Sequence, residues 1–360
     1  MPSQITHYLF AKEVIQSSLG KQGGKMLGTY NNLIAWGAQR PDFFYHNQRS
    51  RPTAFKYGRI LHRGGYGTLL YHFLPHCFTN DAAKNEAAIA FIYAFLTHAV
   101  LDRYTHPFII YFSGWREPGE KTTYELYRMH AFFERIIDLS LCGCNDFDFA
   151  ALLLDVDRYF TLLRDICISG IRKTYTELNK PDLDERSFAN ACTDALFFYR
   201  VTNCADRENI RHAYERDKAH HFNRKLLALY YPRYYDKNID YLNEKHTEWR
   251  DPFYPDRKRT ESFSDLYGEA VAAGIEALRK LDQLVRERDF SSVKKEDVEA
   301  IAGNGNLSNG ECAKNLSPRT ASPLPLYEQL VREYCGVEKE FGLDQVFKYE
   351  QPVKGAVDCL

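Results

Sequence analysis

Apolar residues recur every three to four positions along most of this chain, the spacing that gathers them on one face of an α-helix. The period marks segments over 4–18 (QITHYLFAKEVIQSS) and 25–36, the second stopped by Gly37. GAQRPDFFYHN follows, and Pro41 with its polar flanks reads as a loop bearing Asp42, then Phe43, Phe44, Tyr45 and His46. Within 58–76, His62 precedes a glycine-rich turn and the helical period resumes at LLYHFL. A long helix is expected over 82–105, capped by Asn80 or Asp81 and ended by Pro107. A loop over 108–121 leads to another helix, capped by Thr122 or Thr123. Further on, the period predicts helices over 148–175, 184–201, 206–230, 262–289 and 326–341.

No sustained strand alternation, internal repeat, glycine-rich phosphate loop or GxSxG elbow interrupts this pattern, so the expected fold class is all-α, a multi-helix bundle. Residues 1–300 are expected as one helical domain, the turn-rich 301–325 as a linker, and 326–360 as a short helix and tail. The most apolar run, Ala87–Leu101, contains His98 and falls short of the ~18 uninterrupted apolar residues of a span, so it reads as a buried helix. The N-terminal MPSQITHYLFAKEV has no basic start followed by an apolar core and cleavage site, which predicts no signal peptide. Nine scattered Cys, with Cys142-Gly-Cys144 the one close pair, read as reduced thiols, and the expected setting is cytoplasmic.

Chemistry concentrates in THAVLDRYTHP and YRMHAFFER. His98, Asp102 and His106 stand four residues apart, so a helix puts them on one face. His130 and Glu134 repeat the spacing on the next helix. The preceding AAIAFIYAFL would bury the first group, and a buried carboxylate needs a counter-charge or a metal. Imidazole with carboxylate suits zinc and similar cations. His72 and His76 share the spacing, but Pro75 lies between them, and His212, His220, His221 and His246 sit in charged segments and read as surface residues.

Adding His7, Asp42 and His62 gives an order that resembles the zinc-dependent phospholipase C family, whose all-helical fold is shared with single-strand-specific zinc nucleases. The likeness covers residues 3–140 in motif detail, and Trp249–Phe253 followed by SFSDLYGEA looks like the family's later helices. The resemblance implies a zinc-dependent hydrolase of phosphodiester bonds, with Asp42, His62, His98 and Asp102 on one ion and His106, His130 and Glu134 on a second. Asp102 would bridge to a third ion shared with His7, so about two to three zinc ions are expected. The interval from Asp42 to His62 looks longer than in secreted members, which leaves His46 as an alternative ligand to His62. Such a cluster generates hydroxide for attack on phosphorus, and Asp42 is the leading catalytic proton acceptor.

A phospholipid or small phosphodiester is the expected substrate, with Phe43, Phe44, Tyr45 and Tyr104 flanking the site. The alternatives are a single-strand nuclease of the same fold and a catalytically silent, metal-stabilised scaffold. With 47 Lys and Arg, dispersed, against 48 Asp and Glu, no nucleic-acid partner is expected. An HD-type phosphohydrolase needs an adjacent His-Asp pair, which this chain lacks.

Overall fold

A computed structural model describes residues 4–49, 51–142, 151–152, 156–175, 183–203, 206–287, 289–309 and 316–347. Among them the chain forms α1 (Gln4–Leu19), α2 (Lys21–Ala38), α3 (Arg51–Arg63), α4 (Tyr66–Phe73), α5 (Ala82–Ser113) and α6 (Met129–Cys142). Then follow α7 (Val156–Thr174), α8 (Glu185–Asn203), α9 (Arg207–Ala219), α10 (Phe263–Glu287), α11 (Lys295–Ala302) and α12 (Leu326–Phe341). The described β structure is one antiparallel ladder, Trp249–Arg250 against Lys258–Arg259. The fold is all-α.

Helix α5 is the axis. Asp81 caps it, accepting hydrogen bonds from the amides of Ala83 and Lys84. The helix does not stop at Pro107; it runs on to Ser113 and ends at Gly114, which takes φ 63. A proline within a helix costs about 3 kcal/mol. Here Thr105, His106, Pro107, Phe108 and Ile109 are all buried, and their packing outweighs that cost. Gly37 is likewise not a stop, because it lies inside α2 where that helix crosses α5. A Cβ there would stand 2.5 Å from the Phe91 carbonyl oxygen, so the missing side chain is what lets the backbones meet.

Two hydrophobic cores share this axis. Residues of α5 from Ala87 to Leu101 pack with α1, α2, α4 and α10 in one; Phe108 and Ile109 pack with α6, α9 and α12 in the other. Asp102 and His106 occupy the junction, inside the protein yet outside either apolar mass.

Other boundaries moved for local reasons. Helix α9 ends at Ala219, short of residue 230, and His221, Phe222 and Lys225 adopt left-handed φ of 50, 57 and 47. Asp217 drives the break: its carbonyl accepts from the Phe222 amide and its carboxylate from the Leu227 amide and the Tyr334 hydroxyl. Helix α6 begins at Met129 behind Arg128; Thr123 does not cap it, its hydroxyl instead tying Glu117 to Glu120.

The described parts of 301–325 are fastened to the bundle. The Leu307 amide donates to the His62 carbonyl at 2.8 Å, and the Gly65 and Gly67 amides donate to the carbonyls of Asn304 and Gly303. Arg103, next to Asp102, donates to the carbonyls of Ala302 and Gly303. Ser322 and Leu324 donate to Tyr111 and Phe112, and α12 then buries Leu326, Leu330, Tyr334 and Val337. The Cys142 side chain and Cys144 lie outside the described part, as does everything beyond residue 347.

Candidate metal centre

Five elements deliver the ligand-type side chains. Helix α5 points His98, Asp102 and His106 inward on successive turns, all but sealed from solvent. Helix α1 adds His7, the 3₁₀ turn Asp42–His46 adds Asp42, the last turn of α3 adds His62, and α6 adds His130 and Glu134. The structure thus brings together all eight residues singled out in the sequence. Their ligand atoms fall into three groups, each within 4.8 Å: His7, Asp42 and His98; His62, His98 and Asp102; His106, His130 and Glu134.

Asp102 is the hub. Its Oδ1 stands 3.3 Å from His7 Nε2, while Oδ2 stands 3.2 Å from His98 Nε2, 3.7 Å from His106 Nδ1 and 3.9 Å from His62 Nε2. Asp42 Oδ1 lies 2.9 Å from His62 Nε2 and 3.7 Å from His98 Nε2. His130 Nε2 and Glu134 Oε1 are 2.9 Å apart.

Backbone carbonyls aim two of the rings. His62 Nδ1 is 2.6 Å from the Gly58 oxygen and His98 Nδ1 is 2.9 Å from the Ala38 oxygen. A proton on each Nδ1 donates to the carbonyl and leaves the Nε2 lone pair facing the carboxylates, as a metal-ligating histidine requires. Helix α1 is aimed from outside itself. Asp138 of α6 accepts from the amides of Ile5 and Thr6, from the Thr6 hydroxyl and from Tyr231, satisfying first-turn donors buried away from water.

Many of these atoms make no hydrogen bond: both nitrogens of His7, Asp42 Oδ1, His62 Nε2, His98 Nε2, both oxygens of Asp102 and His106 Nδ1. Buried polar groups are rarely left so, because each costs about 1–3 kcal/mol. Cations of the zinc class fit this donor set of imidazole nitrogens and carboxylate oxygens.

Electrostatics prepare three other rings for the same state, whereas at His98 the charges of Asp102 and Asp42 outweigh burial and raise the pKa. Burial lowers the pKa of His7, that of His130 further, and that of His106 to about 3, so these rings are neutral at pH 7 and their lone pairs available. Burial alone would raise Asp102, but the fields of His106 and His98 and the close approach of the His7 and His98 rings to its oxygens hold it well below the usual carboxylate range. For Asp42, burial is likewise outweighed, by His98 and His62, and its pKa falls. Burial pushes Glu134 well above its ordinary value, a penalty that a bound cation would remove.

His62 takes the place beside Asp42, and His46 does not. The His46 ring stacks on Phe198 at 4.0 Å and meets Tyr199 edge-on. Phe43 and Phe44 do not flank the centre either; they are core residues, and Phe43 packs on the buried Arg40 guanidinium at 3.9 Å. Tyr45 does border it, its hydroxyl 3.3 Å from His62 Nδ1. Sequence reasoning missed Asp138, Ser113, whose hydroxyl is 3.5 Å from His130 Nδ1, and the arginines beyond His130. Asp138 carried a signal in its place one helical turn after Glu134. His72 and His76 join no ligand group among the described residues.

Fold and site together define an all-α protein with a buried imidazole–carboxylate centre suited to metal ions. Compared with protein-family models, curated proteins and solved structures, the chain matches none.

Proposed function

We propose that this chain is a zinc-dependent phosphoric diester hydrolase of phospholipase C type. The observation that supports this most is Asp102, whose two oxygens face different imidazoles, so that one carboxylate would be placed to serve neighbouring ions. Zinc bound here would acidify a water and offset charge on the phosphoryl oxygens.

The protein's own groups supply the rest. His7, Asp42, His62, His98 and Asp102 would hold ions on the inner side. His106, His130 and Glu134 number three, which leaves a coordination position for water or substrate. Asp42, kept ionised by His98 and His62, would accept the proton as water adds to phosphorus and the P–O bond to the leaving alcohol breaks, and that proton would then pass to the departing oxygen. Substrate enters past His130, whose side chain is 34% exposed while those of His98 and Asp102 are sealed. No described helix is long and apolar enough to cross a membrane, so a lipid would be met at a membrane surface or as a dispersed monomer.

The test is hydrolysis of bis(4-nitrophenyl) phosphate and dihexanoyl phosphatidylinositol by chelated and then zinc-restored protein. Turnover that disappears with the metal and returns with it is the expected result. A zinc-replete chain that cleaves neither compound contradicts the proposal, and cleavage of single-stranded DNA alone replaces it with the nuclease.

A further inference from the structure

Beside the exposed edge of His130 lies a cavity of about 380 Å³, lined by Trp115, Arg116, Tyr127 and Arg128 as well as His130 itself. That is within the size range of small-ligand sites. Its charge is unusual. The Arg116 guanidinium lies 4.4 Å from the centre of the Tyr124 ring and 5.5 Å from that of Tyr127; the Arg128 guanidinium lies 5.2 Å from Tyr127. Among the described residues neither arginine forms an ion pair with a carboxylate, and Arg128 Nη1 is buried without a hydrogen bond.

Behind them is Lys225, 6% exposed, its ammonium donating to the Tyr124 carbonyl at 2.9 Å. The nearest acids bond elsewhere: Glu117 accepts from the Trp115 indole, and Asp217 accepts from the Leu227 amide and the Tyr334 hydroxyl, so each offsets the arginines only at a distance. Burial lowers the Lys225 pKa and the fields of Arg116 and Arg128 lower it further, opposed by Glu125 and Asp217. Arg128 also holds φ 68, a left-handed conformation costly for a side chain of its kind, immediately before the helix that carries His130 and Glu134.

We propose that Arg116 and Arg128 are the anion-recognition arm of the substrate site, and that the preferred substrate is a phosphodiester carrying a second anionic group such as a phosphomonoester. The assignment rests on the hydrolase reading of the neighbouring centre. A guanidinium offers paired N–H donors that match a phosphate or carboxylate edge, and rings beneath hold its plane. With His130 on the cavity wall, a ligand held by the arginines places its diester toward the metal ligands. A cationic head group would meet like charge here.

The test measures binding to the zinc-loaded full chain, read by the fluorescence of Trp115. Glycerophosphoinositol is compared with its 4-phosphate, and dihexanoyl phosphatidylinositol with its 4-phosphate. The expected result is at least ~10-fold tighter binding of the 4-phosphate, a gain of about 1.4 kcal/mol. Arg116→Gln and Arg128→Gln each diminish that preference while zinc content stays at the wild-type value. Two positions are used because Arg128 sits at a strained backbone, whereas Arg116 is exposed. A gain confined to the acylated pair identifies a lipid head group and a gain in both pairs a soluble diester; either supports the proposal. Equal affinity within both pairs, or a preference that survives both substitutions, overturns it. Bis(4-nitrophenyl) phosphate turnover by the wild type is scored separately. Turnover without the 4-phosphate preference overturns the anion arm alone. No turnover of any diester overturns the hydrolase reading and the substrate assignment with it.

Discussion

Asp102 and His46 show how burial sorts side chains of the same polar class into different roles. Asp102 is sealed from solvent but surrounded by imidazoles, and it remains a carboxylate because they oppose the cost of burial. Asp102→Asn keeps the shape and removes the charge. That variant is expected to lose at least one ion per chain and to lower diester hydrolysis by ~100-fold or more, since an amide is a poor bridging ligand. Metal analysis and turnover on the same preparation check this, and full zinc with full activity would exclude the bridging role.

His46 is buried among aromatic rings, and burial lowers its pKa from 6.5 to about 3. The unfolded chain takes up that proton as the pH falls through about 6.5, and the folded chain refuses it until about 3. Stability should therefore decline with falling pH across this window, by about 1.4 kcal/mol per pH unit for this one group. His46→Phe preserves the stack on Phe198 and removes the titration. Denaturant unfolding between pH 6 and pH 4 should then depend on pH less steeply, by about one proton. An unchanged slope would show that His46 is not held neutral.

At the scale of elements, helix spacing made the grouping of five ligand-type side chains legible in advance, because His98, Asp102 and His106, and likewise His130 and Glu134, stand one turn apart. Pro107 and Gly37 misled for a shared reason. Each is a local helix breaker, and in each case tertiary packing around α5 overrode the local preference. Gly37→Leu should cost about 2 kcal/mol or more, because the added atoms enter space held by the Phe91 carbonyl and Ala94. Thermal unfolding measures it, and a variant as stable as wild type would mean that the helices lie farther apart.

Asp138 invites a sharper test of how one element positions another. Its carboxylate lies outside the ligand groups but holds the first turn of α1. Asp138→Ala should destabilise the fold by about 1–3 kcal/mol and weaken metal retention at His7 before the other positions. Stepwise chelation would show one ion leaving early. Wild-type release from a destabilised variant would assign Asp138 to folding alone.

For the molecule as a whole, the all-α class was legible from periodicity, whereas the course of 301–325 was not. Its composition is that of a linker, and the groups that anchor it are largely main-chain: the carbonyls of Gly303 and Asn304 and the amide of Leu307. Every residue has such groups, so no side-chain pattern announces them. Because they brace the turn after His62, deleting from Gly303 onward is expected to lower metal content as well as stability, rather than leave the centre intact. The aromatic residues near Asp42 were equally opaque, since core rings and site-lining rings look alike until burial separates Phe43 and Phe44 from Tyr45.

The central claim is that the buried atoms around Asp102 exist to hold metal ions, and metal content addresses it without reference to substrate. Elemental analysis of the purified, exhaustively dialysed chain should find about two to three ions of the zinc class per molecule, and chelation should lower the melting temperature. Less than one tightly held ion per chain, with no change in melting on chelation, would contradict the account.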